Sequence, residues 1–410
     1  MINACRGCDA PLSTVLVDLG MQPISNALLD NFEDSLKEEK YPLVVFVCDV
    51  CALVQLDSSI QRELHFNENY SYYSSYSDSW LNHAKELAQK SVNRLKLSDS
   101  NLVVELASND GYLLQYFKEL GVPVLGIEPS ENVANFAIFE RGIRTLVEFF
   151  GVDSATKMLH EFEQADLVIA INVLAHVPDI HDFLRGIEIL LKDEGQAVIE
   201  FPHLANMLRE CQFDTIYHEH YSYLSLTALC PIIEKSGLKV IDIEEIPTHG
   251  GSLRLYLAKM DSSIGETLIL EEVLKKELLF DPRSYITRQN FQKSVSYIVE
   301  NLLSEISKLK ENKKLIFGYG AAAKGNTILN LAGINSSQIC CIIDRNPHKQ
   351  GKLLPGTHIL ICGAEELSKN PPDAILVLPW NLASEVSLQL RKLGIETPIF
   401  RVVPKVEYLE

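Results

Sequence analysis

A chain of 410 residues, 47% hydrophobic and 22% charged, has the apolar content to bury two or three cores, which excludes a disordered, collagen-like or coiled-coil protein. Its 37 Lys and Arg against 55 Asp and Glu leave a formal net charge of −18, so the surface repels phosphate backbones and nucleic acid is not expected as a partner. No apolar run approaches the roughly 18 to 20 residues of a membrane span. Met1 to Ala10 carry Cys, Arg and Asp where a secretory signal has an apolar stretch, so a cytoplasmic protein with no membrane partner is expected. Nine cysteines in such a chain read as thiols or metal ligands rather than as a disulfide framework.

Four of them stand as two pairs, Cys5-Arg-Gly-Cys8 and Cys48-Asp-Val-Cys51. A two-residue gap forms a tight knuckle that brings two thiolates to one ion, and four thiolates leave no open position for a reactant. Cys5, Cys8, Cys48 and Cys51 are therefore expected to hold a structural zinc ion in a separate module, residues 1–65. A Tyr- and Ser-rich segment runs from Asn67 to Trp80, and apolar spacing at Leu81, Ala84, Leu87 and Ala88 predicts a helix over 81–95.

From Asn101 to Lys259 short apolar runs (102–106, 122–127, 167–171 and 197–201) alternate with helical stretches, the pattern of a mainly parallel α/β sheet covered on both faces. The first run ends in Glu105 and a polar turn, Ser108, Asn109, Asp110 and Gly111; the next closes on Glu128 and Pro129; the third ends in Asn172 and turns toward His176. Ligands of such sheets bind at carboxyl edges of strands, and an acid some twenty residues past the Gly turn can accept both hydroxyls of a ribose. A dinucleotide site would need G-x-G-x-x-G, and this turn has Gly111 alone. The order of loop acid, ribose acid and Asn resembles that of class I S-adenosylmethionine-dependent methyltransferases.

Two helices are predicted over 264–280 and 288–309, the second with Phe291, Val295, Ile298, Leu302, Ile306 and Leu309 on one stripe. Strand-helix alternation then restarts at 315–317, 339–343 and 374–378. Gly318-Tyr-Gly-Ala-Ala-Ala323 satisfies G-x-G-x-x-A after a strand, and Asp344 ends the next one. On its own that block is a nicotinamide-dinucleotide fingerprint and admits an oxidoreductase using residues 318–325. The same physics, N–H groups at a helix N-terminus beside Gly320 and Lys324, also suits the diphosphate of a sugar nucleotide. The division expected is thus 1–65, 66–260 (with a Tyr-rich lid, 66–100), a helical connector 261–311, and a Rossmann-like domain 312–410.

The densest chemistry lies in residues 213–225, where His218, Glu219 and His220 stand together. The residues alone admit a metal site, a buried hydrogen-bonded imidazole, or a general base of near-neutral pKa. Tyr217-His-Glu-His220, together with Tyr70-Ser-Tyr-Tyr-Ser-Ser75 and Thr248-His-Gly-Gly-Ser-Leu-Arg254, resembles the signature blocks of sugar-nucleotide C-methyltransferases, over nearly the whole chain. That resemblance implies a class I methyltransferase sheet between an N-terminal zinc module and a C-terminal Rossmann-like domain. It implies S-adenosylmethionine as cofactor, with methyl transfer to a carbon, C3, of a nucleoside-diphosphate 4-keto-6-deoxy sugar, dTDP being the expected nucleotide, through a base-generated enolate. His220 would be the base, with Tyr217 and Glu219 orienting it or holding the sugar. Tyr72 would close the site, with Tyr70 and Tyr76 in competing registers, and His249, Ser252 and Arg254 would contact the substrate. A monomer is expected, and a sugar O-methyltransferase is the nearest alternative. Cys340, Cys341 and Cys362 read as strand positions, Trp80 as a packing residue, and 308–314 as a solvated helix end.

Overall fold

The computed structural model describes residues 4–56, 60–66, 70–265, 267 and 269–409. Its strands are β1 (Thr14–Pro23), β2 (Lys40–Val47), β3 (Val54–Leu56), β4 (Val103–Leu106), β5 (Val124–Ile127), β6 (Thr145–Leu146), β7 (Ala165–Ile171), β8 (Leu191–Pro202), β9 (Ser222–Tyr223), β10 (Leu238–Ile246), β11 (Ser252–Lys259), β12 (Ile316–Tyr319), β13 (Cys341–Ile343), β14 (Leu360–Cys362), β15 (Ala374–Val377), β16 (Ile399–Arg401) and β17 (Glu407–Leu409). They form three sheets, of order β1-β2-β3-β9, β10-β11-β8-β7-β4-β5-β6 and β14-β13-β12-β15-β16-β17.

The central sheet is parallel from β8 through β6 and becomes antiparallel at β11 and β10. Its order reverses at β4, which has β5 on one side and β7 on the other, so the turn after Leu106 opens on the crevice where doubly wound sheets take ligands. All four residues of β4 are buried, as a strand covered on both faces requires. The C-terminal sheet repeats the device at β12, between β13 and β15.

The first predicted helix starts earlier than its apolar spacing indicates, at Asp78, because the Ser77 hydroxyl accepts from the Trp80 N–H at 3.3 Å and caps it. The second is shorter, Ile269–Leu278, and the third is longer, Tyr285–Glu311. The long helix does more than connect. Its stripe of Phe291, Val295, Ile298, Leu302 and Ile306 lies in one apolar cluster with Leu16, Leu43 and Val45 of the N-terminal sheet and Ile316, Leu329 and Ile342 of the C-terminal domain. At roughly 1.5 to 3 kcal/mol for each fully buried aliphatic side chain, this shared core ties the two ends of the chain together.

The N-terminal sheet is completed by β9, which comes from the far side of the central domain: Val54 pairs with Tyr223 and Gln55 with Ser222. The cysteine pairs converge beside β3. The sulfurs of Cys5 and Cys51, and of Cys8 and Cys48, approach to 3.5 Å, and all four lie within 4.8 Å of one another. Tetrahedral zinc with Zn–S bonds of about 2.3 Å sets its sulfurs about 3.8 Å apart, so the four thiols fit one structural zinc ion. Gln55 ties this knuckle to β3, its Nε2 donating to Cys5 Sγ at 3.2 Å while its Oε1 accepts from Arg6 N at 3.0 Å. The Cys48→Ser variant is expected to lose bound zinc, read by elemental analysis, and to lower Tm by roughly 6 °C or more; an unchanged Tm after complete metal loss would leave the ion no structural role.

Candidate active site

A cavity of about 320 Å³ lies where the three sheets meet, lined by residues from each part of the chain. The N-terminal part contributes Asn26, Arg62 and Phe66, the central part the turns after β4, β5 and β7 with the 215–220 block, and the C-terminal part Ala322 to Lys324, Lys349 and Asn381.

On the central side, the turn after β4 is drawn tight by left-handed backbone at Ala107, Asn109 and Gly111. Gly111, at φ +75°, holds a conformation that side-chain-bearing residues rarely adopt, and a Cβ there would crowd Ile143, Arg141 and Ala137 at 2.7, 3.2 and 3.3 Å. Asn109 N donates to Glu128 Oε2 at 3.0 Å and Ser130 N to Oε1 at 2.8 Å, which fixes Glu128 at the cavity edge beside Pro129. Burial pushes its carboxyl up to about 7, against these two N–H donors. Asn172, left-handed at φ 57°, lines the cavity with Oδ1 buried and unpartnered among the described residues. Below the turn, Glu105 Oε2, Asp110 Oδ1 and the Ser108 hydroxyl are likewise buried without partners. A ribose-sized acceptor pair with spare polar atoms around it fits an adenosine-containing cofactor such as S-adenosylmethionine.

The Tyr-rich segment is strapped over this turn by amide side chains. Asn132 Nδ2 donates to Tyr70 O at 2.8 Å, Asn346 Nδ2 to Ser71 O at 2.7 Å and Asn109 Nδ2 to Tyr72 O at 3.1 Å, while Asn109 Oδ1 accepts from Ser74 N at 2.8 Å. Asp110 accepts from the Ser75 backbone and hydroxyl. The strap brings both Tyr70 and Tyr72 to the cavity and leaves Tyr76 off it, against Tyr73. Burial raises both phenols, so each stays a protonated O–H donor.

Across the cavity, His220 Nδ1 bonds Thr215 O at 2.7 Å, and because a carbonyl only accepts, Nδ1 carries the proton. Nε2 is then the lone pair, and it accepts from Tyr217 O–H at 2.8 Å. Burial, then the neighbouring His176, hold His220 well below its usual range and therefore neutral; the Thr215 carbonyl opposes them. His176 lines the same wall, its Nδ1 2.9 Å from Glu219 O and its ring centroid 4.6 Å from that of His220. His218 turns the other way, to Pro42 O at 3.2 Å in the N-terminal sheet. The backbone turn at Tyr217–His220 thus sets the two imidazoles apart, with His220 on the cavity and His218 off it. The Glu219 carboxyl bonds neither: its Oε1 accepts from Asn26 Nδ2 at 2.7 Å, and burial pushes it up to about 7.

The C-terminal domain reaches the cavity through the N-terminus of helix Ala323–Leu331 and through Lys324, whose Nζ lies 3.3 Å from Asn381 Oδ1 and 5.0 Å from the Trp380 ring centre. Gly320 sits behind that edge, not on the cavity, and a Cβ there would meet Pro379 at 2.5 Å. Two of the expected substrate contacts also lie behind the wall. Ser252 donates to Thr248 O at 2.9 Å. Arg254 is buried, with Nη2 and Nε on Glu200 Oε2 at 3.0 and 3.1 Å and Nη1 on Glu244 at 3.1 Å. Glu200 also bonds Thr248 and His83, so Arg254 acts by bracing the neighbours of His249, which does line the cavity, at φ 53° and with Nε2 unpartnered among the described residues.

Sequence reasoning missed several lining residues. Trp80 lines the cavity instead of only packing a helix, stacked on His83 at 4.9 Å with His249 edge-on at 4.9 Å. Asn26 and Lys349 sit in turns and Asn381 in the short 3-10 helix Trp380–Leu382, with no motif around them, and Arg62 covers Phe149 at 4.2 Å. A polar residue three positions past a strand end was the available signal for Asn26.

Known proteins match along the chain in the same order. Residues 5–66 match a zinc binding domain profile, 80–243 a methyltransferase domain profile and 247–403 the profile of a C-methyltransferase C-terminal domain. The C-methyltransferase NovU of Streptomyces niveus is 33% identical over 385 residues, 94% of this chain and 91% of that protein. A ubiquinone biosynthesis O-methyltransferase of Rhodopseudomonas palustris is 28% identical over 98 residues, 24% of this chain and 38% of that protein. Among solved structures, the magnesium protoporphyrin IX methyltransferase of Synechocystis PCC 6803 with bound SAH matches at 15% identity and a TM-score of 0.35, over 44% of this chain and 82% of that one. No helix among the described residues is long and apolar enough to cross a membrane.

The displaced titrations fix a dependence of stability on pH. Burial holds Glu219 at about 7, against about 4.3 unfolded, so between those values the folded chain keeps a proton that the unfolded chain releases. Its stabilising share is full below about pH 4.3 and lost as pH rises through 7. Burial also holds His176 near 4 and His249 and His65 near 3, which costs stability in the opposite direction as pH falls below about 6.5. Glu219→Gln keeps the shape and removes one carboxyl from the first set. It is expected to match the parent in Tm at pH 4 and to exceed it at pH 8, by a stability difference on the order of 3 kcal/mol; parallel Tm-against-pH curves would contradict this.

Proposed function

The chain belongs to the family of S-adenosylmethionine-dependent C-methyltransferases, and from that premise we propose that it methylates C3 of a nucleoside-diphosphate 4-keto-6-deoxy sugar, with dTDP as the nucleotide. One observation carries the proposal: a neutral imidazole, His220, with its basic nitrogen fixed by the Thr215 carbonyl, lines a cavity shared by the cofactor turns of the central sheet and the cationic edge of the C-terminal domain.

S-adenosylmethionine, when bound, supplies a methyl group on a positively charged sulfur, an electrophile suited to a carbon nucleophile. Glu128, Asn109, Pro129 and Asn172 are the residues proposed to hold it at the cavity, with Glu105, Ser108, Asp110 and Gly111 shaping the turn beneath. The chain's own task is then to make the sugar carbon nucleophilic. A 4-keto group acidifies the hydrogen on C3. His220 Nε2 takes that proton once Tyr217 turns its O–H from Nε2 to the sugar, and the Nδ1–H···O bond to Thr215 stabilises the imidazolium that results. The enolate oxygen needs an O–H donor rather than a base, and the protonated phenols of Tyr70 and Tyr72 supply one.

Glu219 in its carboxylate form accepts from a sugar hydroxyl, so turnover is expected to rise through about pH 7. Lys324, the helix N-terminus at Ala323 and Lys349 offer positive charge to the diphosphate, and His249 a further polar contact. Apolar walls from Phe66, Phe149, Phe150 and Trp80 exclude water, which protects both the electrophile and the enolate. The Asp344 carboxylate, which a nicotinamide dinucleotide would engage, accepts from Ala321 N at 2.7 Å, and neither it nor Gly320 lines the cavity.

Incubation with isotope-labelled S-adenosylmethionine and a panel of nucleotide-linked 4-keto and 4-hydroxy sugars tests this by mass spectrometry. Label is expected on a carbon of the 4-keto sugars only; label on oxygen would make the protein an O-methyltransferase. His220→Ala is expected to lose at least about 100-fold in turnover and in solvent-deuterium exchange at the acidic carbon, whereas His218→Ala stays close to the parent.

A further inference from the structure

Glu219 receives its hydrogen bond from a part of the chain that neither the methyl-transfer chemistry nor the sequence motifs would assign to the site. Asn26 lies three residues past β1, the first strand of the N-terminal sheet, inside a turn closed by Ala27 N to Ile24 O at 3.1 Å and Leu28 N to Asn26 O at 2.9 Å. That turn sets its side chain at the cavity, where Nδ2 donates to Glu219 Oε1 at 2.7 Å. From the opposite end of the chain Lys349 also lines the cavity, its Nζ held by Ala321 O at 2.7 Å, and its charge favours the ionised carboxyl. Glu219 thus sits between one amide from the N-terminal part and one ammonium from the C-terminal part.

We infer that Asn26 is a positioning residue of the methyl-transfer site: by occupying Oε1 it fixes the Glu219 carboxylate so that Oε2 is presented to the sugar, which makes the zinc-bearing part of the chain a contributor to turnover as well as to stability. This rests on the sugar-holding role proposed above for Glu219. Oε2 accepts no hydrogen bond from the described residues, which leaves it free to accept one from a ligand hydroxyl. An unanchored carboxyl at the end of three rotatable bonds would spread over several rotamers, and its orientation would have to be fixed at the moment of binding. The N–H donor also favours the ionised form. The other groups facing this carboxyl are the phenols of Tyr70, Tyr217 and Tyr221 and the Lys349 ammonium; His176 bonds the backbone carbonyl of the same residue.

The test is a double-variant cycle on the full-length, zinc-loaded protein with the labelled-methyl assay, zinc content and Tm being measured on every variant. Asn26→Ala is expected to lower kcat roughly tenfold, the size of one charge-assisted hydrogen bond, and to move the acid limb of kcat/KM up by about one pH unit, with zinc content unchanged. Asn26→Asp, of the same shape but without the donor, is expected to move the limb further, because it sets a second carboxyl against the first; it serves for the cycle if the alanine variant folds poorly. In a Glu219→Gln background either change is expected to cost little more. Loss that multiplies in that background, or an Asn26→Ala enzyme with the parent's kcat and pH profile, would overturn the assignment of Asn26 alone. A Glu219→Gln enzyme with the parent's turnover would remove the role proposed for Glu219, and this inference with it.

Discussion

The pairing of β3 with β9 is the constraint on which the site depends. A two-residue ladder is weak alone, but it is reinforced on both sides: Leu56 N donates to Tyr221 O at 3.0 Å, Tyr221 O–H donates to Ile60 O at 2.8 Å, and Arg6 Nη1 reaches Leu56 O at 2.7 Å. Tyr221 follows His220 directly, so the imidazole hangs from a strand whose partner is tied through Gln55 to the cysteine knuckle. Small domains cannot easily bury enough surface to stay rigid, and a four-thiolate ion is one way to stiffen such a sheet. The metal site and the cavity are then two ends of one short mechanical path, through Arg6, Gln55 and the β3–β9 pair.

Enclosure accounts for most of the site's electrostatics. The ionisable groups of the cavity are driven toward their neutral forms by burial: histidines down, carboxyls and phenols up. Neutrality is what this chemistry asks for, since an uncharged imidazole can take a proton and an un-ionised phenol can donate one to a nascent oxyanion. The exception is Glu200, behind the wall. Burial would raise it as well, but His83 and Arg254 bring it below its ordinary range. Apart from the lysines on the C-terminal edge of the cavity, charge is thus kept behind the wall, where it braces strands.

Much of this was legible in the sequence where a backbone rule has a residue signature. The cysteine spacing, the turn around Gly111, the acid at Glu128 and the buried stripe on the long helix each reflect a local geometric demand, and local demands survive in a one-dimensional pattern. Which of His218 and His220 faces the cavity was not legible, because residues two apart in an irregular segment have no period that assigns a face; the rings are set apart by the Thr215 and Pro42 carbonyls, one of them 176 residues away. Arg254 was misplaced for a related reason. A cation in a motif block invites a ligand, whereas the antiparallel register of β8 and β11 sets it opposite Glu200, and a buried guanidinium follows the nearest buried carboxylate. Asn26, Trp80 and Lys349 enter through tertiary packing, which no spacing rule reports.

The stripe of the helix Tyr285–Glu311 joins the opening sheet and the closing domain in one apolar cluster. Residues near the start of the gene and residues near its end are therefore inherited as a matched set, although the whole central sheet is encoded between them. A crossover between two related genes inside that central stretch would bring one parent's Leu16, Leu43 and Val45 against the other parent's Phe291 and Leu329, so recombinants are viable only where both parents fill that interior alike.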